Sequence, residues 1–219
     1  MHKRVNWKNL KAQRTPPGTL GYPDFFDERH KRKMLELANL KPSDVFYDLG
    51  CGDASVLIFA VKEFGVRNAV GFESEPRRKA KARQRVEKEG LSNRIGIKGE
   101  MKSADLSRAD VILAMHLEEE EDHDRFSTSG IRKGTRLIKH DLPLIGIDFD
   151  GVDNPFYLIR FPFRKMQSPE AWVAKVMGRN GASPQDLWHE LYYYRYEKRY
   201  DKSEVRSFDR ILRLRMKTN

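Results

Sequence analysis

The sequence predicts an α/β domain: a mostly parallel sheet with an antiparallel last strand, covered by helices on both faces. Three observations predict it. Short apolar runs alternate with amphipathic stretches from residue 27 to residue 140. A glycine turn, Gly50-Cys51-Gly52, stands between the first apolar run and the helix after it. A helical insert, about 164–206, lies near the C-terminus between two further apolar runs.

The elements follow in order. Residues 1–21 are basic and poor in apolar side chains and read as an arm, leaving 22–219 as one domain. Residues 27–40 place Met34, Leu35 and Ala38 on one side and charges on the other, the pattern of a helix. Strands are expected at 45–49, 68–72, 95–98, 110–114 and 135–140. Helices are expected at 55–64 and at 75–89, the latter very basic. Residues 118–127 fill the gap between the fourth and fifth strands. Residues 156–163 read as a sixth strand and 207–216 as the last. Within the insert, Ser168-Pro169-Glu170 supplies a cap, a first-turn proline and a first-turn acid, and Gly178 a stop. Ser183-Pro184 repeats that opening.

Composition narrows the function. The chain has 219 residues, 39% hydrophobic and 34% charged, enough to bury a core. No run approaches the ~20 apolar residues of a membrane span, and the N-terminus lacks the apolar stretch of a signal peptide. A single cysteine excludes an internal disulfide framework, and six scattered histidines show no metal-ligand spacing. The expectation is a cytoplasmic protein, a monomer with no metal and no membrane partner. The net charge is +10. Residues 1–41 hold ten Lys/Arg against four Asp/Glu, and residues 160–219 hold fourteen against seven. An acidic middle therefore lies between two basic ends. Such ends suit a polyanion such as RNA, and they equally suit plain solubility.

The motif that carries chemistry is Asp48-Leu49-Gly50-Cys51-Gly52-Asp53-Ala54. Glycines there let the backbone turn sharply and let a ligand come close. Glu73 ends the second strand, 23 positions beyond Gly50. That is close to the spacing at which a carboxylate accepts both hydrogens of a ribose diol. Ser55 stands where a nicotinamide-binding fingerprint would approach its third glycine, so that reading fits poorly.

Asp-Leu-Gly-Cys-Gly-Asp, then Gly71-Phe72-Glu73, then Gly99-Glu100, resembles a class I S-adenosylmethionine-dependent methyltransferase of archaeal type, with the Rossmann-like sheet of that class. The resemblance runs from about residue 22 to 163, plus the last strand. It implies S-adenosyl-L-methionine as cofactor, with Asp48, Gly50 and Gly52 under its methionine part. Glu73, with Ser74 beside it, would hold the ribose. Glu100 and Met101 would lie near the adenine, and Met115 and His116 would face the reaction centre. Ala54 departs from a common third glycine, at little cost if the backbone there is already helical. Cys51 reads as a small packed residue, since methyl transfer from a sulfonium needs no covalent intermediate.

Two acceptors remain open. An exocyclic base amine has its lone pair delocalised into the ring, and acceptors for both N–H hydrogens restore nucleophilicity. Nucleic-acid amino methyltransferases commonly use Asp/Asn-Pro-Pro-aromatic for this. Asp141-Leu142-Pro143-Leu144 resembles that motif in part. Asp141 and the Leu142 carbonyl would be the acceptors, Pro143 would stiffen the loop, and His116 would orient the base or relay a proton. The segment follows the fifth strand rather than the fourth, and Leu144 replaces the aromatic. In the insert, Tyr193, Arg195, Tyr196 and Arg199 suit unstacked bases and phosphates. Trp172 and Trp188 suit simple packing as well. This reading gives an rRNA cytidine N4-methyltransferase, acting once or twice on a ribosomal particle. The other reading is a protein-lysine methyltransferase. The core, from Tyr22-Pro23 to Gly134-Thr135-Arg136, is similar to small archaeal enzymes of that kind, and the acidic run 118–122 suits a lysine-rich substrate.

Overall fold

The apolar runs become strands where the sequence places them. β1 (Val45–Leu49), β2 (Asn68–Phe72), β3 (Ile95–Lys98), β4 (Val111–Ala114) and β5 (Arg136–His140) run parallel, and β7 (Phe156–Arg160) runs against its two neighbours. The structure, a computed structural model, describes residues 27–99, 104–114, 130–140, 144, 146–153, 155–180 and 210–211. The sheet has seven strands in the order β3-β2-β1-β4-β5-β7-β6, where β6 is Gly151–Asp153. The order reverses between β1 and β4, so a crevice opens at the carboxyl ends of those two strands. Open α/β sheets bind ligands there.

Among the described residues four helices cover the sheet: α1 (Glu28–Leu37), α2 (Ser55–Glu63), α3 (Pro76–Lys88) and α4 (Pro169–Asn180). Alternating side chains feed two separate cores, because successive residues of a strand point to opposite faces. Phe46, Val111 and Leu113 join Met34, Leu35, Leu57 and Val86 on one face. Tyr47, Leu49, Ile112 and Ala114 join Trp172, Val173 and Val176 on the other. α2 is apolar almost all round and is buried from Val56 to Val61. α1 and α3 bury only a stripe.

Each of these amphipathic helices has a side-chain cap at its start; the one at Ser168 was expected. Asp27 accepts the N–H of His30. Glu75 accepts those of Arg77 and Arg78, with Pro76 in the first turn. Ser168 Oγ accepts the N–H of Ala171 at 3.2 Å. At the edge away from the crevice, Arg136 pairs with Asp44 at 2.7 Å and donates to the Ala38 and Asn39 carbonyls, both at 2.8 Å. This ties α1, the start of β1 and β5 together.

Three expectations need correcting. Residues 207–216 are not a strand where they are described: Arg210 and Ile211 are helical, and Ile211 packs against the second core. Among the described residues the antiparallel strand is β7. β6 was not expected. Its three residues carry no apolar pattern and become a strand only by pairing with β7, Gly151 opposite Leu158 and Asp153 opposite Phe156. α4 continues through Gly178 to Asn180, because a glycine lowers helix propensity without forbidding the turn.

Candidate cofactor site

The site grows from the carboxyl ends of β1 and β2. Gly50 (φ +88°) and Gly52 (φ +55°) are both left-handed, which lets the chain leave β1 and fold back over β2. The N–H groups of Gly50 and Cys51 both donate to the Phe72 carbonyl, at 2.9 and 3.0 Å. A Cβ on either glycine would meet nothing within 4 Å, so both turn an open face to the crevice. Ala54 is also left-handed, at φ +64°, and not helical as the little-cost reading requires. Its methyl is fully buried in the first core, which offsets part of the ~1–2 kcal/mol that such a conformation costs an L-residue.

Glu73 sits at the end of β2 and is buried. One carboxylate oxygen accepts the N–H of Gly52 at 3.1 Å, and the other accepts the N–H of Glu75 at 2.9 Å. Each oxygen retains a second lone pair, so the group is aimed and still able to accept hydroxyl hydrogens. Ser74 beside it is exposed. Asp48 is only 4% exposed, and no hydrogen bond or ion pair from the described residues reaches its carboxyl. Burial, with the Glu73 and Asp53 carboxylates nearby, pushes it up to about 7. A buried acid close to two other acids is matched to a cationic ligand. Burial also pushes the Cys51 thiol up, reinforced by Asp48 and Glu73, so it stays a neutral packed side chain.

Two contributors escape sequence reading. Arg85, one of the many cations of α3, pairs with Asp53, whose other oxygen accepts the Ser55 N–H at 3.0 Å. α3 is thereby fastened to the loop at the head of α2. Gly71 lies opposite Asp48 in β2, and a Cβ there would come within 2.5 Å of Cys51 Sγ and 2.6 Å of Leu57 Cδ1. Its signal was visible: a glycine inside a strand often marks a close backbone approach.

Of the expected cofactor residues, the structure brings together Asp48, Gly50, Gly52, Glu73 and Ser74. Glu100, Met101 and Met115 lie outside the described residues, as do Asp141, Leu142, Pro143 and His116, and the insert residues Tyr193, Arg195, Tyr196 and Arg199. Leu144 is described and buried. Trp172 is fully buried in the second core, so it packs and offers no face to a base. Among the described residues there is no cluster of three metal-binding side chains, and no helix is long and apolar enough to cross a membrane.

A 3-2-1-4-5-7-6 sheet with one reversed strand, a glycine loop after β1 and an acid closing β2 define a class I S-adenosylmethionine-dependent methyltransferase. The comparisons agree. A Saccharolobus islandicus protein-lysine N-methyltransferase is 35% identical over 121 residues, which are 54% of this chain and 75% of that protein. The chain belongs to the family of that enzyme. The structure of a Salinibacter ruber RNA methyltransferase in complex with S-adenosyl-L-homocysteine is 27% identical with a TM-score of 0.58, over 65% of this chain and 97% of the other. A B. subtilis M1A22 tRNA methyltransferase shares the fold alone, at 16% identity and a TM-score of 0.53, covering 85% of this chain and 95% of its own. No protein-family model matches the chain. The protein is an enzyme and its cofactor is S-adenosyl-L-methionine.

Proposed function

We propose that this methyltransferase acts on RNA, at the N4 amine of a cytidine in ribosomal RNA held in a structured or assembled particle. The observation that carries the reading is the exposed cationic face of α3. Arg77, Lys81 and Lys88 are exposed, share one face with Gln84, and form no ion pair with any described residue. α3 starts three residues beyond Glu73, so this row of charges begins beside the cofactor crevice and runs about 16 Å back toward the amino ends of the strands. A line of exposed cations that begins beside the crevice suits a phosphate backbone and disfavours a lysine-rich one.

In this reading S-adenosylmethionine supplies the methyl group. Asp48, Gly50 and Gly52 receive its methionine part, and Glu73 with Ser74 its ribose. The open faces of both glycines and the buried Asp48, without a hydrogen-bond partner among the described residues, fit that role. Glu100 and Met101 border the adenine, and Met115 the methyl. Asp141 accepts one hydrogen of the base amine and the Leu142 carbonyl the other. This returns lone-pair density to the nitrogen and holds it in line for displacement. Pro143 stiffens that segment, His116 orients the base, and Tyr193, Arg195, Tyr196 and Arg199 hold the strand around it.

A second reading, a protein-lysine methyltransferase of broad specificity, is favoured by the 35% identical relative of that name. Label transfer from methyl-labelled S-adenosylmethionine into ribosomes, deproteinised RNA and lysate separates the two. Label released by RNase and found in N4-methylcytidine is the expected result. Label that survives RNase and is lost to protease moves the acceptor to lysine.

A further inference from the structure

The carboxylate that closes β2 is held on both oxygens, and both holds lead to α3. One oxygen of Glu73 accepts the N–H of Glu75, the residue that caps α3, at 2.9 Å. The other accepts the N–H of Gly52 at 3.1 Å. The next residue, Asp53, pairs with Arg85, about two and a half turns along the same helix. These contacts close a ring from α3 through Glu73, Gly52, Asp53 and Arg85 back to α3. The segment inside the ring needs holding. Gly50, Gly52 and Ala54 all have positive φ, at +88°, +55° and +64°. A glycine takes either sign of φ with similar ease, so its neighbours must select the turn. Asp53 lies between two of these residues and uses both of its oxygens on the protein. One accepts the Ser55 N–H at 3.0 Å, where α2 starts, and the other takes Arg85.

We propose that Arg85 is a positioning residue for the cofactor: through Asp53 it holds the glycine loop in the conformation that aims the Gly52 N–H at Glu73, and so keeps the site in shape before S-adenosylmethionine arrives. The inference rests on the reading above in one respect, that Gly50, Gly52 and Glu73 receive the cofactor. The pair itself adds little to stability, because the arginine is 41% exposed and water screens it. Its effect falls on binding instead. A loop that the ligand must itself order binds more weakly than one already in place. A second tie between the same two helices supplies a control. Lys62, in the last turn of α2, pairs with Glu89 at the far end of α3. It joins α2 to α3 as Arg85 does, at the end of α2 away from the glycine loop.

The test is calorimetry of S-adenosylmethionine on the full chain, with no acceptor present. Arg85→Met should raise the Kd about 3- to 10-fold, and Arg85→Lys, which keeps a donor of the same charge, should recover most of that loss. Lys62→Met should change the Kd less than about 2-fold, while its urea midpoint moves about as much as that of Arg85→Met. In an Asp53→Asn background, Arg85→Met should add less than about 2-fold, since the path through the carboxylate is already cut. An unchanged Kd in Arg85→Met overturns the proposal. So does an equal loss in Lys62→Met, or an Arg85 effect that persists in full without the Asp53 carboxylate. Glu73→Gln separates the proposal from the reading it rests on. Weaker binding there, with Arg85→Met unchanged, refutes the role of Arg85 alone. Unchanged binding there removes the cofactor reading and this inference with it.

Discussion

Replacing Asp48 with asparagine should change how the stability of the folded chain depends on pH. The native carboxyl is pushed from 3.8 to about 7 by burial first and by Glu73 and Asp53 next. Below pH 3.8 the folded and unfolded chains both hold the proton. Between 3.8 and about 7 only the folded chain holds it. Each pH unit across that window therefore lowers the unfolding free energy by about 1.4 kcal/mol. Above about 7 both states are ionised, and the loss is complete at about 4 kcal/mol. Asparagine keeps the shape and never ionises. Carboxylates remote from Asp48 titrate alike in both proteins and cancel in the difference; Glu73 and Asp53, which act on Asp48, only modify the size of the change. The unfolding free energy of Asp48→Asn minus that of the native chain should rise by about 4 kcal/mol from pH 4 to pH 8, with its slope confined to the window below about 7. Urea unfolding at half-unit steps of pH, without cofactor, measures it. A gap that stays constant across the range would refute the assignment of Asp48 as a buried acid among acids.

Gly71→Ala should destabilise the fold by about 1–3 kcal/mol, because the new Cβ lands on Cys51 Sγ and Leu57. Adding Cys51→Ala should recover part of that loss, read as a shift in the urea midpoint. The Cys51 thiol should resist a thiol reagent at pH 8 in the native chain and react fully in denaturant; rapid native labelling would contradict its burial among carboxylates. Arg136→Met should cost about 3 kcal/mol, since it leaves the nearly buried Asp44 with only the Lys41 N–H and frees the Ala38 carbonyl, and a cost under ~1 kcal/mol would refute a stabilising role for the pair. Glu73→Gln should weaken S-adenosylmethionine about 10- to 100-fold by calorimetry, the value of a hydrogen bond to a charged group, with the fold intact by circular dichroism.

Much of the architecture was readable from local pattern. β1 and β2 are apolar runs bounded by turn residues, and the caps at Asp27, Glu75 and Ser168 each need only side-chain chemistry within three positions. The glycine loop and the acid after β2 also stand in fixed register to their strands, so the methyltransferase class could be read before any coordinate. Those features depend on neighbours along the chain, and neighbours are what a sequence displays.

What remained needs contacts between distant segments. β6 exists because β7 offers it hydrogen bonds, and nothing in Gly-Val-Asp announces a strand. Ala54 accepts a left-handed backbone because its methyl gains a place in the core beneath α2. Arg85 differs from the other cations of α3 only in meeting Asp53, and Trp172 differs from a base-stacking tryptophan only in lying under Leu144. Asp48 looks like any aspartate in the sequence. Its near-neutral titration arises because folding removes water and brings up Glu73 from β2. Burial and long-range charge are properties of where the chain returns upon itself, and only the folded arrangement sets them.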